Sequence, residues 1–149
     1  MLQTFSDEGE IPYGIKQVQA LDVSDAFVSN QKVCVVDSGY DINHSDLQNE
    51  FVTGTTGGAG NWDEPVDSHG THCAGTIAAV GNDDGVLGVV RSGKMNLHIV
   101  RVFGDDGDWA WSSSLIQAVS ASSFFKDMSC FILHWLYILS HCVLLYTPT

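Results

Sequence analysis

The feature that most constrains the fold of this 149-residue chain is the run KVCVVDSG, from Lys32 to Gly39. Apolar side chains occupy positions 33–36 without a break, and the run then stops at Asp-Ser-Gly. A short continuous apolar run bounded by turn residues is typical of a strand that is buried on both faces, as in a parallel sheet. The sequence therefore predicts an α/β fold, with Asp37 at the edge of the sheet where such folds bind ligands.

Further segments predict that strands and helices alternate. NLHIVRVFG (96–104) predicts a second strand, and SSSLIQAVSA (112–121) predicts a helix. Ser68 is predicted to cap another helix, through HGTHCAGTIAAV (69–80). The glycine-rich segments at 53–61 and 104–111 are predicted to be loops. Alternating strands and helices favour an α/β architecture built on a parallel sheet.

Charge and cysteine content exclude some classes of protein. The net charge of −12 argues against nucleic acid as a partner, since binding to phosphates requires basic surface. The four cysteines show no paired spacing, so no disulfide framework is predicted. Cys34 and Cys73 lie in apolar stretches and are interpreted as small buried residues. The acidic first ten residues do not have the pattern of a signal peptide.

The segment DSHGTHCAGT, residues 67–76, holds two histidines three positions apart. One interpretation is a metal site, in which His69 and His72 bind zinc with a third ligand such as Asp37. The other is catalytic: Asp37 orients His69, and His69 acts as the general base for a nucleophile. Taken singly, each residue is equally well explained as the cap of a turn or a helix.

Together, VVDSGYDINHSDL and DSHGTHCAGTIAAV resemble the first two catalytic blocks of the subtilisin-like serine peptidases, the subtilases. Asp37 and His69 are 32 positions apart, which is also the separation of the catalytic Asp and His in subtilisin. IPYGIKQVQA, GVLGVV and VRVFGDDGDWAWSSSLIQAV resemble further segments of the same domain, and the cysteine in HGTHCAG is similar to that of the proteinase K group. The resemblance covers about residues 11–121 and implies a three-layer, parallel-sheet subtilisin-like fold that is truncated.

The resemblance implies an activity and a substrate. His69 would be the general base and Asp37 its orienting carboxylate in the Asp-His-Ser triad of a serine endopeptidase. Residues Gly107, Asp108, Trp109 and Ala110 match the strand that pairs with an extended polypeptide substrate by β-augmentation; the alternative is a plain surface turn. An extracellular location is expected of the family.

The resemblance also implies a structural calcium ion in the loop after the histidine helix. Its ligands would be carbonyl oxygens of Val80, Asp84 and Val86, the side chain of Asn82 and the carboxylate of Asp46. Oxygen ligands of this kind suit calcium. Gly9 stands where the family has a glutamine ligand, with Glu8 or Glu10 as possible replacements, and the alternative is a solvated acidic turn.

Residues 122–149 differ in composition from residues 1–121, which hold every glycine and 17 of the 18 acidic residues. Neither Gly-Thr-Ser nor Gly-x-Ser-x-Gly occurs in the sequence. We expect an apolar, non-homologous tail from a frameshift or intron read-through; a membrane segment at 130–146, at the short limit for a span, is less favoured. A chain without the serine is expected to be inactive alone. The alternative function is a non-catalytic fragment or pseudoenzyme that binds peptide or calcium.

Overall fold

The computed structural model describes residues 9–47, 50–56, 59–108 and 128–132. Within these ranges lie four strands, a short N-terminal helix, one longer helix and two 3-10 turns. Their bounds are β1 Lys32–Asp37, β2 Val52–Thr56, β3 Asn96–Arg101 and β4 Met128–Ile132, α1 Tyr13–Gln17 and α2 His69–Ala78, and the turns Ala20–Asp22 and Val28–Asn30.

The four strands form one sheet in the order β2-β3-β1-β4, and every neighbouring pair is parallel. Asp37 at the end of β1 lies opposite Arg101 at the end of β3, and Thr56 of β2 lies opposite Arg101 on its other side. The carboxyl ends of three strands therefore meet at one edge. The predicted α/β fold with a parallel sheet is confirmed.

Strand β1 is buried on both faces, as its apolar run predicts. Side chains alternate between the faces of a strand, so Val33 and Val35 face helix α2 while Cys34 and Val36 face the other way. Full burial of a valine side chain contributes about 1.5–3 kcal/mol. The α2 side of the core contains Val33, Val35, Tyr40, Val52, Cys73, Ala74, Ala78, Met95, Leu97 and Ile99.

Strand β2 corrects the prediction that residues 53–61 form a loop. Val52–Thr56 pairs in parallel with β3, with Thr53 opposite His98 and Thr55 opposite Val100. Threonine is β-branched and favours strands, whereas the glycine at position 54 is unfavourable in a strand and interrupts the strand pattern. A Cβ on Gly54 would lie 2.1 Å from an indole carbon of Trp62. The glycine is thus explained by close packing of the Trp62 ring on the strand.

Strand β4 lies within residues 122–149, the segment predicted to be a non-homologous tail. It pairs in parallel with β1, with Lys32 opposite Met128 and Val36 opposite Ile132. The predicted helix at 112–121 and the residues after Ile132 lie outside the described residues. In the part of the chain that is described, no helix has both the length and the apolar character needed to cross a bilayer. The boundary at residue 121 and the origin of the tail stay predictions.

Candidate active site

Asp37 and His69 form a hydrogen-bonded pair at the carboxyl edge of the sheet. Nδ1 of His69 lies 2.8 Å from Oδ1 and 3.0 Å from Oδ2 of Asp37. A carboxylate only accepts hydrogen bonds, so Nδ1 of His69 is the donor in this pair. The Asp37 side chain is 1% exposed and that of His69 is 32% exposed. The predicted contact between these side chains is confirmed.

Asp37 is held from the backbone as well as by His69. The N–H of Ser38 donates to Oδ1 of Asp37 at 2.7 Å, and the N–H of Val102 donates to the Asp37 carbonyl at 2.9 Å. These bonds compensate for burial of the carboxylate, which would otherwise be costly. Because they come from β1 and from the segment after β3, the sheet itself fixes the carboxylate.

The start of helix α2 is capped differently from the prediction. Ser68 occupies the N-cap position but its side chain makes no capping hydrogen bond. Instead, the N–H of His69 donates to Oδ1 of Asp67 at 2.8 Å, and the N–H of Gly70 donates to Oγ of Ser38 at 2.9 Å. The second bond crosses from the helix to the residue after Asp37. The cap therefore also ties His69 to the strand that carries its partner.

Gly70 lets the helix approach the end of β1. A Cβ at this position would lie 2.3 Å from the carbonyl oxygen of Gly39 and 3.1 Å from Cβ of Asp37. Gly39 has a φ of 112°, in the region that side chains rarely adopt. Two glycines thus shape the junction where the helix meets the strand, directly beside His69.

Cys73 is a third polar side chain at the pair, and the sequence interpretation missed its position. Its Sγ lies 3.8 Å from Nδ1 and 4.0 Å from Nε2 of His69, and the residue is 1% exposed. Cys73 was interpreted only as a small buried residue. The spacing of four from His69 was the available signal, because residues at i and i+4 of a helix lie on one face.

His72 does not join Asp37 and His69. It is exposed on α2 and lines a surface groove with Thr76 and Val89. Among the described residues, one group of three has possible metal-ligand atoms close to one another: Asp37, His69 and Cys73. The structure therefore gives no support to a zinc site built on His69 and His72.

Gly107 and Asp108 are the described part of the predicted substrate edge, while Trp109 and Ala110 lie outside the described residues. The N–H of Gly107 donates to the carbonyl of Gly104, and the N–H of Gly104 donates to the carbonyl of Asp108, both at 2.9 Å. Gly107 has a φ of 79°. These two residues therefore close a tight turn that leads to the predicted strand, and pairing with substrate stays a prediction.

Arg101 makes hydrogen bonds to the loops around this edge of the sheet. It is 2% exposed, and its guanidinium donates to the carbonyls of Phe103 (2.9 Å) and Glu64 (2.6 Å) and to Oδ1 of Asp105. A Cβ on Gly60 would lie 2.7 Å from Nη1 of Arg101. A planar group with five donors suits such a junction. No local sequence pattern indicates this role of Arg101.

Several residues of the predicted calcium loop are hydrogen-bonded to Asp46 and to its neighbour Ser45. The N–H of Val86 donates to Oδ2 of Asp46 at 2.8 Å, and the N–H of Val80 donates to its carbonyl at 3.1 Å. The amide of Asn82 donates to the carbonyl of Ser45 at 3.4 Å, and the Ser45 hydroxyl donates to Oδ2 of Asp84 at 3.0 Å. Oδ1 of Asp46 is buried and has no hydrogen-bond partner among the described residues.

The N-terminal segment reaches the same loop. The N–H of Glu10 donates to the carbonyl of Gly85 at 2.9 Å, and the N–H of Leu87 donates to the carbonyl of Glu10 at 3.0 Å. A Cβ on Gly9 would lie 3.0 Å from the Asp84 carbonyl oxygen. Gly9 thus lies beside the loop of residues 80–86, and the calcium site itself stays a prediction.

Comparison with known proteins identifies the family. The model of the subtilase family, peptidase family S8, matches residues 29–130. Subtilisin E of Bacillus subtilis (strain 168) is 43% identical over 108 residues, which are 68% of this chain and 27% of that protein. The major intracellular serine protease of the same organism is 36% identical over 115 residues, covering 70% of this chain and 35% of that protein.

A crystal structure supports the same family assignment. The psychrophilic subtilisin-like protease of the Antarctic Pseudoalteromonas sp. AS-11 superposes with a TM-score of 0.75 at 41% identity, over 83% of this chain and 29% of that one. The chain thus spans 27–35% of the length of these two curated relatives. One of them is named as intracellular, so the family alone does not fix the compartment. The match over residues 29–130 shows that the chain belongs to the subtilase family.

Proposed function

We propose that this chain supplies the Asp and His of the Asp-His-Ser triad of a subtilisin-like serine endopeptidase. The observation that carries the proposal is the 2.8 Å contact between Nδ1 of His69 and Oδ1 of Asp37, at the carboxyl edge of a parallel sheet. In this role His69 takes the proton of a serine hydroxyl at Nε2, and Asp37 holds the ring and stabilises the imidazolium that forms.

The exposure of the two side chains supports these roles. Asp37 is almost fully buried, whereas His69 is partly exposed, so a nucleophile and a substrate can approach the imidazole ring but not the carboxylate. A buried carboxylate also interacts strongly with an imidazolium, because the local dielectric constant is low. His69 would therefore contact the substrate, and Asp37 would maintain the tautomer of the imidazole.

We propose a polypeptide substrate that lies along the edge beginning at Gly107. Backbone hydrogen bonds to an extended peptide would give affinity without strong sequence preference. Trp109 and Trp111 would line apolar pockets, and Ala110, like Gly107, would let the backbone lie close to the peptide. Arg101 supports this role indirectly, because it ties the preceding loop, through Asp105, to the end of β3.

We propose that the loop of residues 80–86 holds a structural calcium ion. The unpartnered Oδ1 of Asp46 is the supporting observation, because a buried carboxylate oxygen without a donor is costly unless a cation meets it. Asp46 and Asn82 would bind through side chains, and Val80, Asp84 and Val86 through carbonyls. The ion would cross-link the loop to Asp46 and would take no part in bond cleavage.

The second candidate is a non-catalytic fragment or pseudoenzyme that binds peptide or calcium. The observation that favours it is the lack of a Gly-Thr-Ser or Gly-x-Ser-x-Gly block in the 149 residues. In subtilisin, loss of the nucleophile lowers kcat about 2 × 10⁶-fold. We therefore expect the chain alone to give no hydrolysis of casein above buffer and no labelling by a fluorophosphonate. Labelling that disappears in His69→Ala would reveal a nucleophile in the chain and contradict this expectation.

The catalytic proposal is tested by supplying the missing serine. In a chimera, residues 11–121 replace the matching segment of subtilisin E, which is 43% identical to this chain over the matched region. We expect this chimera to hydrolyse a peptide p-nitroanilide and to lose that activity in Asp37→Asn, because the imidazole is then held in the wrong tautomer. A folded chimera with full activity after Asp37→Asn would refute the proposal.

A further inference from the structure

The tripeptide Asp-Asp-Gly occurs twice in the chain, at residues 83–85 and 105–107. At an Asp-Gly step the aspartate side chain can react with the backbone, because glycine has no side chain to hinder the approach. In both copies the second aspartate and the glycine are exposed, so water and protons reach both steps. Local sequence and exposure therefore do not distinguish the two copies, and a difference in reactivity has to come from the fold.

The reaction is the isomerisation of aspartate through a five-membered succinimide ring. The backbone nitrogen of the glycine attacks Cγ of the aspartate and forms a C–N bond. One carboxyl oxygen leaves as water, with the amide hydrogen and one proton from solvent. Water then opens the ring at either of its two carbonyl carbons. Opening at the former main-chain carbonyl breaks the original peptide bond and leaves isoaspartate, in which the chain runs through Cβ and Cγ.

The fold places the carboxyl group of Asp84 beside the nitrogen that attacks it. The N–H of Gly85 donates to Oδ1 of Asp84 at 3.0 Å. Because Cγ is bonded to Oδ1 at about 1.2 Å, it lies within about 4.2 Å of that nitrogen, and bond formation typically starts from about 3–3.5 Å. The hydroxyl of Ser45 donates to Oδ2 of Asp84 at 3.0 Å, so the oxygen that leaves is already held by a donor.

The second copy is arranged differently. The N–H of Gly107 donates to the carbonyl of Gly104 at 2.9 Å, so this nitrogen is held in the tight turn. Oδ1 of Asp106 accepts instead from the N–H of Asp108 at 3.1 Å. Attack on the Asp106 carboxyl group therefore requires that both hydrogen bonds break first.

We propose that Asp84 is a site of spontaneous isoaspartate formation in the folded chain, and that the fold protects Asp106. A misplacement of the reacting groups by about 1 Å can cost about 100-fold in rate. Isoaspartate should therefore form at least about tenfold faster at Asp84 than at Asp106 in the folded chain.

Isomerisation would open the loop of residues 80–86. It adds one atom to the main chain between Cα of Asp84 and the nitrogen of Gly85, where there is no room: a Cβ on Gly85 would lie 2.2 Å from Oδ2 of Asp46. The N–H of Val86 donates to that same oxygen at 2.8 Å, so the displaced loop loses this bond. The main-chain carbonyl of Asp84 becomes a free carboxylate. Conversion would thus end calcium binding, a consequence that rests on the calcium site proposed above.

The first test measures isoaspartate at the two steps in the full chain, incubated without calcium. Tryptic peptides 33–91 and 102–126 each contain one Asp-Gly step, and electron-transfer fragmentation locates the isoaspartate in each. We expect conversion at least about tenfold faster at Asp84 in the folded chain, and equal rates in urea, where only the shared tripeptide remains. The same ratio in both conditions, or faster conversion at Asp106, would overturn the proposal.

Substitutions test the geometry. Asp84→Glu keeps the charge but would need a six-membered ring, so no isomer should form at this step, whereas the matched control Asp106→Glu should leave the rate at Asp84 unchanged. Ser45→Ala should slow conversion at Asp84 by about 2- to 10-fold, because one hydrogen bond to the leaving oxygen is lost. An unchanged rate in Ser45→Ala would refute assistance from that hydroxyl. Should circular dichroism show that the isolated chain is unfolded, the same comparison in the chimera, which contains both steps, decides the question.

The second test measures melting temperatures with calcium and with EGTA, before and after conversion. We expect calcium to raise the melting temperature of the fresh chain but not that of the converted chain. A converted chain that calcium still stabilises would refute the effect on the loop. A fresh chain that calcium does not stabilise contradicts the calcium site and leaves the reactivity of Asp84 standing, whereas equal rates at the two steps contradict the reactivity alone.

Discussion

Substitution of Gly70 by alanine should separate the candidate catalytic pair. The new Cβ would lie 2.3 Å from the Gly39 carbonyl oxygen, whereas ordinary contacts begin at 3.4 Å, so helix or loop must move by about 1 Å. Overpacking of this kind costs about 1–3 kcal/mol, which exceeds the gain of up to about 1 kcal/mol from replacing a helical glycine by alanine. A misplacement of about 1 Å can cost about 100-fold in rate.

The chimera with subtilisin E provides the assay, because it supplies the serine. We expect Gly70→Ala to melt at a lower temperature and to lose about 100-fold in kcat/KM on a peptide p-nitroanilide. Gly75→Ala is the matched control in the same helix: its Cβ would meet only Leu47 Cδ2, at an ordinary 3.6 Å. It should melt at the same or a higher temperature and keep its activity. Equal melting temperatures and equal activities for the two variants would refute the argument from close approach.

Three further predictions concern the parts that hold the site in place, all measured on the chimera. Asp46→Asn should abolish the stabilisation by calcium, which is about 2.7 kcal/mol when the calcium concentration is 100 times the Kd of the site. Melting temperatures measured with calcium and with EGTA check this. Asp83→Asn, an exposed substitution in the same loop, should retain the stabilisation. Burial, and to a smaller degree Lys32, lowers the pKa of His98 below its ordinary 6.5. As the pH is lowered, the unfolded chain therefore binds this proton before the folded chain does. The free energy of unfolding should stay constant above about pH 6.5 and decrease as the pH drops below that value. Urea titrations of His98→Gln should not show this decrease. Arg101→Lys should lower the free energy of unfolding by about 2–3 kcal/mol, because an ammonium cannot reach the acceptors of a buried guanidinium together; an unchanged urea midpoint would contradict this.

The parts of the fold that the sequence predicts are those with a strong apolar pattern. The runs at 32–39 and 96–104 correspond to β1 and β3. In β1 the apolar residues are continuous, as is typical of strands buried on both faces, whereas in β3 they are interrupted by the buried polar residues His98 and Arg101. Strand β2 was missed because it lies at the edge of the described sheet and is polar: Thr53, Thr55 and Thr56 belong to a segment whose glycines suggest a loop. Its place is set by pairing with β3 and by the ring of Trp62, which no local pattern encodes.

The site was predicted in its principal residues and missed in its surroundings. Asp37 and His69 are recognisable because a strand-end carboxylate and a helix-start histidine occur at a diagnostic separation. The capping of α2 by Asp67 and Ser38 instead of Ser68 depends on where the end of β1 meets the helix, so it follows only from the three-dimensional arrangement. The place of Cys73 beside the imidazole was within reach of helical periodicity.

Replacement of His69 in the chimera tests the central claim most directly. If His69 is the general base, His69→Ala should lower kcat by about 10⁶-fold, as loss of the histidine does in subtilisin, and should abolish fluorophosphonate labelling of the serine. His72→Ala, three residues along the same helix, should still be labelled. A folded His69→Ala chimera that hydrolyses peptide and takes up the probe at the rate of the unsubstituted chimera would contradict the account.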